Sequence, residues 1–141
     1  MNYPKTFIYS IETIDQVAEA LLFQYPKSTK WALYGSMGLG KTTLIKVLAK
    51  KLGSMDEGSS PTFAIANQYE TTKNTLIYHI DLFRLKSKDE AFNAGIYEII
   101  QTPQAYCFVE WPELIEEWMD DEWLRLTFSQ LSEDTRMVSV G

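Results

Sequence analysis

Gly35-Ser36-Met37-Gly38-Leu39-Gly40-Lys41-Thr42 stands between the apolar run Trp31-Ala32-Leu33-Tyr34 and the segment Thr43-Leu44-Ile45-Lys46-Val47-Leu48. The order reads as strand, tight loop, helix. Glycines let the backbone turn sharply with successive N–H groups pointing inward, and the start of the helix adds the positive end of its dipole to the same spot. This is a cradle for phosphate. Lys41 then reaches the terminal phosphates of a nucleoside triphosphate, and Thr42 offers its hydroxyl to Mg²⁺. The residues expected to line the nucleotide are Gly35, Ser36, Met37, Gly38, Leu39, Gly40, Lys41, Thr42 and Thr43. With glycine at about 7% of residues, such a pattern arises by chance in well under about one in a hundred chains of this length. A plain glycine-rich turn before a helix would not require the preceding strand. Nor would it require the helical spacing of Leu44, Ile45, Val47, Leu48 and Leu52, which ends at Gly53.

The 141 residues suffice for one domain spanning 1–141 and leave little room for a second. Hydrophobic residues at 45% and charged residues at 23% match ordinary globular usage. The net charge of -6 and a pI near 4.8 argue against unaided binding to nucleic acid, so any role with RNA calls for a partner. No early apolar stretch has the length and flanks of a secretory signal, and none approaches a membrane span, which makes the cytoplasm the expected location. The single cysteine, Cys107, lies in an apolar strand pattern and reads as a buried, inert thiol.

Outward from the loop, Lys5 to Tyr9 reads as a first strand, and Thr13 with Gln16 has the spacing of a capping box before a helix. Ile14, Val17, Ala18, Leu21 and Leu22 form its apolar face, and Pro26 closes it. Gly53 to Ser60 reads as a mobile connection. Thr62–Glu70 and Thr75–Asp81 are expected to form a hairpin about Thr71-Thr72-Lys73-Asn74, with His79 and Asp81 on one strand face opposite Leu76, Tyr78 and Ile80. A charged segment, Lys86 to Glu90, then leads to a short helix around Gly95 to Ile100. Ala105 to Glu110 has the shape of a buried central strand with a carboxylate at its tip, and Pro112 suits the first turn of a following helix. Leu124 to Ser129 and the strand through Val138 and Val140 form a closing hairpin about Ser132-Glu133-Asp134.

Hydrolysis needs a metal held at a second point and a group that orients water. Glu110 and Asp81 both end strands, and in open α/β sheets the ligand lies off the carboxyl ends of the strands. Glu110 is assigned to Mg²⁺, with a helix-capping surface acid as the plain alternative. Asp81 is assigned to the attacking water, against a role as a turn residue. His79 reads as structural: a metal pair with Asp81 lacks a third ligand, and Mg²⁺ prefers oxygen. The position of Thr62 admits a switch threonine without requiring one. Arg84 reads equally as an anion contact or a surface ion-pair partner, and Trp111 as a residue packed near the nucleotide or as core filling.

Taken together, the loop, Ser60-Pro61-Thr62-Phe63, His79-Ile80-Asp81-Leu82-Phe83-Arg84-Leu85 and Val109-Glu110-Trp111-Pro112-Glu113, in this order and spacing, resemble the TsaE family of small bacterial phosphate-loop ATPases. The resemblance implies an α/β phosphate-loop fold of three layers, with a mixed sheet, helices on both faces and β-hairpins. It implies an ATPase, weak in isolation, that assists TsaB and TsaD in threonylcarbamoyladenosine modification beside the tRNA anticodon, meeting tRNA only through that complex. ATP and Mg²⁺ are the implied cofactors. Carried over by motif, Lys41 and Thr42 serve phosphate and metal, Glu110 is the second metal residue, Asp81 a catalytic acid and Thr62 part of a switch-like segment. Ser10, Thr13 and Arg136 are carried over as further nucleotide contacts. Phe83 replaces a usual tyrosine, Leu39 an alanine and Met37 a leucine. Two other readings of the same loop are a small-molecule kinase, which the three arginines Arg84, Arg125 and Arg136 serve poorly, and an ATP-dependent regulator that acts by occupancy alone. No N-K-x-D segment supports a GTPase.

Overall fold

A computed structural model describes residues 4–55, 61–63 and 65–141, with residues 61–63 described as a strand only. Residues 56–60, most of the connection expected to be mobile, and the side chain of Thr62 lie outside the described residues.

The chain runs β1 (Thr6–Tyr9), α1 (Ile14–Gln24), β2 (Lys30–Tyr34), α2 (Lys41–Lys51), β3 (Pro61–Phe63), β4 (Ala66–Glu70) and β5 (Leu76–Asp81). It continues through α3 (Lys88–Asn93), α4 (Ile96–Ile100), β6 (Tyr106–Glu110), a 3₁₀ segment (Pro112–Trp118), β7 (Leu124–Gln130) and β8 (Arg136–Val140). All eight strands join one sheet in the order β1-β8-β7-β2-β6-β5-β4-β3. β2 pairs in parallel with both β6 and β7, and β5 pairs in parallel with β6. Only β4 and β8 run against the rest, each between antiparallel neighbours. The ends of β1, β2, β5 and β6 and the start of β8 therefore share one edge of the sheet.

Strand alternation sorts the core into two layers. Trp31, Leu33 and Phe108 face α1 and α2, where they meet Leu21, Leu44, Ile45 and Leu48. Ala32, Cys107, Val109 and Ile80 face the other way, onto Ala91 of α3, Ile96 and Ile99 of α4 and Ile115 of the 3₁₀ segment. Each fully buried leucine or isoleucine contributes about 2 kcal/mol, so both layers are held chiefly by such contacts. The ion pairs of Lys51 with Asp15 and Glu19, at 4.0 and 3.8 Å, have exposed carboxylates and contribute little.

The three-layer α/β architecture matches the expectation, and three local readings need correction. Thr13 does precede α1, but its backbone is not extended (φ -113°, ψ 5°) and its side chain makes no cap bond to the helix. The hydroxyl accepts instead from the Ser10 N–H at 2.9 Å, so no capping box forms. The strand expected over Thr62–Glu70 is divided into β3 and β4, which pair with each other, and the chain gains a second hairpin. The charged segment before Gly95 holds a helix of its own, α3. Ser87 caps it with an extended backbone and a hydroxyl that accepts from the Glu90 N–H. Asp89 and Glu90 then sit in its first turn, where the dipole favours acids.

Candidate functional site

The loop after β2 is shaped by steric necessity. At Gly35, φ is +145°, and a Cβ would lie 3.1 Å from both Cβ and the carbonyl oxygen of Phe128 and 3.2 Å from Cδ1 of Leu39. Only glycine lets the loop pass this close to β7. Gly40, at φ 87° and ψ 17°, is the left-handed residue that starts α2, and its carbonyl accepts from the Leu44 N–H at 3.0 Å. The first N–H groups of α2, which have no partner within the helix, thus open beside the loop.

Lys41 is the first residue of α2 and only 4% exposed. Its Nζ donates to the Gly35 carbonyl and lies 4.0 Å from the centre of the Trp111 ring. Burial pulls its pKa below the usual lysine value, against the attraction of Glu110, Glu113 and Asp81. Trp111 takes its place because it is left-handed (φ 56°, ψ 55°), turning the chain sharply from β6 into the 3₁₀ segment. The ring of Phe83 sits 5.0 Å away.

Glu110 ends β6 and is 4% exposed. One of its oxygens, Oε2, accepts from the Thr42 hydroxyl at 2.7 Å and lies 2.6 Å from Nε2 of His79. Burial alone would raise the Glu110 pKa. The hydrogen bonds from His79 and Thr42, with the positive charge of Lys41, outweigh it and hold the group below the ordinary glutamate value, so it stands as a carboxylate. Asp81, exposed at the end of β5, is the register partner of Glu110 across the sheet. Its Oδ1 accepts from the Phe83 N–H at 3.0 Å, fixing the turn out of β5.

Lys41, Thr42, Glu110 and Asp81 line one cleft of about 780 Å³ along the sheet edge, with Met37 to Gly40 and Thr43 beside them. At its other end stand Tyr9, Ile11, Glu12, Glu133, Asp134 and Arg136. Tyr9 and Arg136 are register partners on β1 and β8. Burial pushes the Tyr9 phenol up to about 12, partly offset by Arg136, and its hydroxyl has no hydrogen-bond partner among the described residues.

The structure therefore brings together the strand-end acids, most of the loop and Arg136. Gly35, packed against Phe128, and the exposed Ser36 do not line the cleft. Ser10 and Thr13 do not line it either; Ile11, Glu12 and Ile14 do, while the two hydroxyls lie 3.5 Å from each other. Arg84 is exposed beyond the turn after Asp81, outside the cleft lining, and Cys107 is buried, with burial raising its pKa. His79 faces Glu110, and among the described residues no cluster of three metal-ligating acids, histidines or cysteines exists. The sequence reading missed the bond from His79 to Glu110 and the cleft walls at Tyr9, Glu12, Glu133 and Asp134. The first had a signal in strand parity. The second had only the rule that ligands gather at strand ends, applied to β1.

A sheet with parallel central strands, a glycine loop opening into a helix and acids at the tips of the two neighbouring strands define a phosphate-loop α/β protein. The family model for "Threonylcarbamoyl adenosine biosynthesis protein TsaE" matches residues 8–138. The chain belongs to the TsaE family. It is 34% identical over 118 residues to the tRNA threonylcarbamoyladenosine biosynthesis protein TsaE of Synechocystis, covering 82% of this chain and 74% of that one. It is 36% identical over 107 residues to the Bacillus subtilis protein of the same name, covering 76% of this chain and 65% of that one. The relative from Rickettsia bellii is 28% identical over 137 residues, covering 96% and 93%. Among solved structures, Bacillus subtilis YdiB superposes with a TM-score of 0.64 at 26% identity, covering 99% of this chain and 87% of that one.

Proposed function

We propose that this chain binds ATP with Mg²⁺ in the cleft and hydrolyses it, and that it does so in the cytoplasm as the nucleotide-dependent partner of TsaB and TsaD in threonylcarbamoyladenosine modification of tRNA. One observation carries the reading. A buried lysine, a helix-start hydroxyl and two strand-end acids converge in a cleft whose volume, about 780 Å³, suits a nucleotide-sized ligand.

The donor set suits Mg²⁺, which takes hard oxygen ligands and keeps waters and phosphate oxygens in the rest of its shell. Thr42 Oγ1 and the Glu110 carboxylate, 2.7 Å apart, are the residues that would hold it. When bound, the ion neutralises phosphate charge as it develops. The chain's own part is to bind and to orient. Loop and first-turn N–H groups receive phosphate oxygens, and Lys41 exchanges the Gly35 carbonyl for a phosphate oxygen while keeping one face on Trp111. Asp81 accepts a hydrogen bond from a water and aims its oxygen at the terminal phosphorus. As the water oxygen bonds to that phosphorus the bond to the bridging oxygen would break, leaving ADP and inorganic phosphate, with the water's proton released to the phosphate product or solvent. The acidic balance of the chain fits contact with tRNA only through the complex.

ATP hydrolysis by the wild-type chain and by Asp81→Ala, each with and without TsaB and TsaD, tests this. The expected result is stimulation by the partners, and for Asp81→Ala nearly unchanged ATP affinity with turnover lower by about 100-fold or more. Turnover unaffected by the substitution would remove Asp81 from the mechanism. Neither ATP binding nor stimulation in the wild type would overturn the function.

A further inference from the structure

We infer that His79 is a positioning residue for the Mg²⁺ carboxylate, its Nε2–H holding Oε2 of Glu110 in the orientation in which Glu110 and Thr42 receive the ion. The inference rests on the nucleotide and metal reading proposed above and adds a residue to it.

Three observations combine. His79 and Glu110 are 6% and 4% exposed, and Nε2 and Oε2 are 2.6 Å apart. The bond is therefore made away from bulk water, where losing one partner leaves the other buried and unsatisfied. Second, Oε2 is the same atom that accepts from Thr42, at 2.7 Å. One oxygen thus ties β5, β6 and the first turn of α2 together. The Thr42 hydroxyl can keep its proton on Oε2 while its lone pairs serve a cation. Third, the other ring nitrogen of His79, Nδ1, is buried and has no hydrogen-bond partner among the described residues. Among the described residues, Glu110 is the one hydrogen-bond partner of the ring.

Strand geometry explains why the pair forms. His79 shares strand parity with Ile77, and Glu110 with Phe108; Ile77 and Phe108 both belong to the α1–α2 side of the core. His79 pairs in register with Phe108, and Asp81 with Glu110, so the histidine lies one same-face step from the acid. Donors behind a metal ligand fix its rotamer, and their loss typically weakens metal binding by about 10- to 100-fold.

The test is the Mg²⁺ concentration that half-saturates enhancement of ATP binding, followed by calorimetry beside each variant's melting temperature. His79→Phe keeps the ring volume and removes the donor; His79→Gln keeps a donor. His79→Phe is expected to raise the half-saturating Mg²⁺ concentration about tenfold or more while Mg²⁺-free ATP binding stays as in the wild type, and His79→Gln to recover most of the loss. If His79→Phe does not fold, His79→Met takes its place against His79→Gln, since the two are similar in length and differ in the donor. Unchanged Mg²⁺ dependence in the donor-free variant would overturn the inference and leave the proposed function standing. So would losses that follow melting temperature alone and are equal in the Phe and Gln variants. A wild-type chain whose ATP binding does not respond to Mg²⁺ would overturn both.

Discussion

The two ends of the cleft are built on different principles. At the phosphate end, Lys41, His79 and Glu110 are at most 6% exposed, and each is tied to a named partner. At the far end, Glu12, Glu133 and Asp134 are exposed and Arg136 is half-buried, its Nη1 donating to the Glu133 carbonyl at 3.4 Å. Most buried polar groups are paired, and here the bonds of His79 and Thr42 to Glu110 are already made, while Lys41 has only to exchange one acceptor for another. Apart from the buried Tyr9, the far end is open to solvent and lightly held. On the proposed reading, charge handling falls to the buried corner, and the open end would supply contacts of modest strength.

This contrast sets an order of effects. Lys41→Ala is expected to weaken ATP binding by about 100-fold, the scale of a lost charge-assisted hydrogen bond of about 3 kcal/mol, measured by calorimetry. Arg136→Ala should weaken it by only about fivefold, since a half-buried charge at the open end of the cleft is still partly screened by water and contributes about 1 kcal/mol. Equal losses at the two positions would erase the distinction between the ends.

Tyr9→Phe should change ATP affinity least and sharpen the picture of the far wall instead. The hydroxyl has no partner among the described residues, so its removal should leave stability at neutral pH within about 1 kcal/mol. Its folded-state pKa of about 12 lies above the unfolded value of about 10. The stability held by the neutral phenol is therefore complete below pH about 10 and is lost as the pH rises toward 12, by about 2 to 3 kcal/mol. Denaturant unfolding across that range should show a smaller alkaline loss in Tyr9→Phe than in the wild type.

The same division decided what could be read from the sequence. The phosphate end was legible because its parts are contiguous or end strongly apolar strands: the loop from Gly35 to Thr42, Glu110 after Tyr106 to Val109, and Asp81 after Leu76 to Ile80. Chemistry requires those residue types there, and the pattern carries them. The far end joins the β1–α1 junction to the β7–β8 turn, more than a hundred residues apart, through an antiparallel pairing that no local pattern specifies. The family resemblance suggested Ser10 and Thr13 as contacts, but the Thr13 hydroxyl accepts from the Ser10 N–H, and neighbouring Ile11 and Glu12 line the cleft. In the fold, the long helices announced themselves by spacing. The six-residue α3 did not, because a charged segment with one buried residue, Ala91, has no periodicity to read. The division of β3 from β4 rests on pairing in the sheet and leaves no signature in composition.

The central claim is that Glu110 and Thr42 together hold the ion that makes this loop an ATP site. Its most direct measurement is ATP affinity with and without Mg²⁺ for the wild type and for Glu110→Gln, which keeps the side chain's size and removes its charge. Mg²⁺ is predicted to tighten wild-type binding by about tenfold or more and to leave Glu110→Gln nearly unchanged, with the two chains alike when Mg²⁺ is absent. The same Mg²⁺ enhancement in both chains would contradict the account.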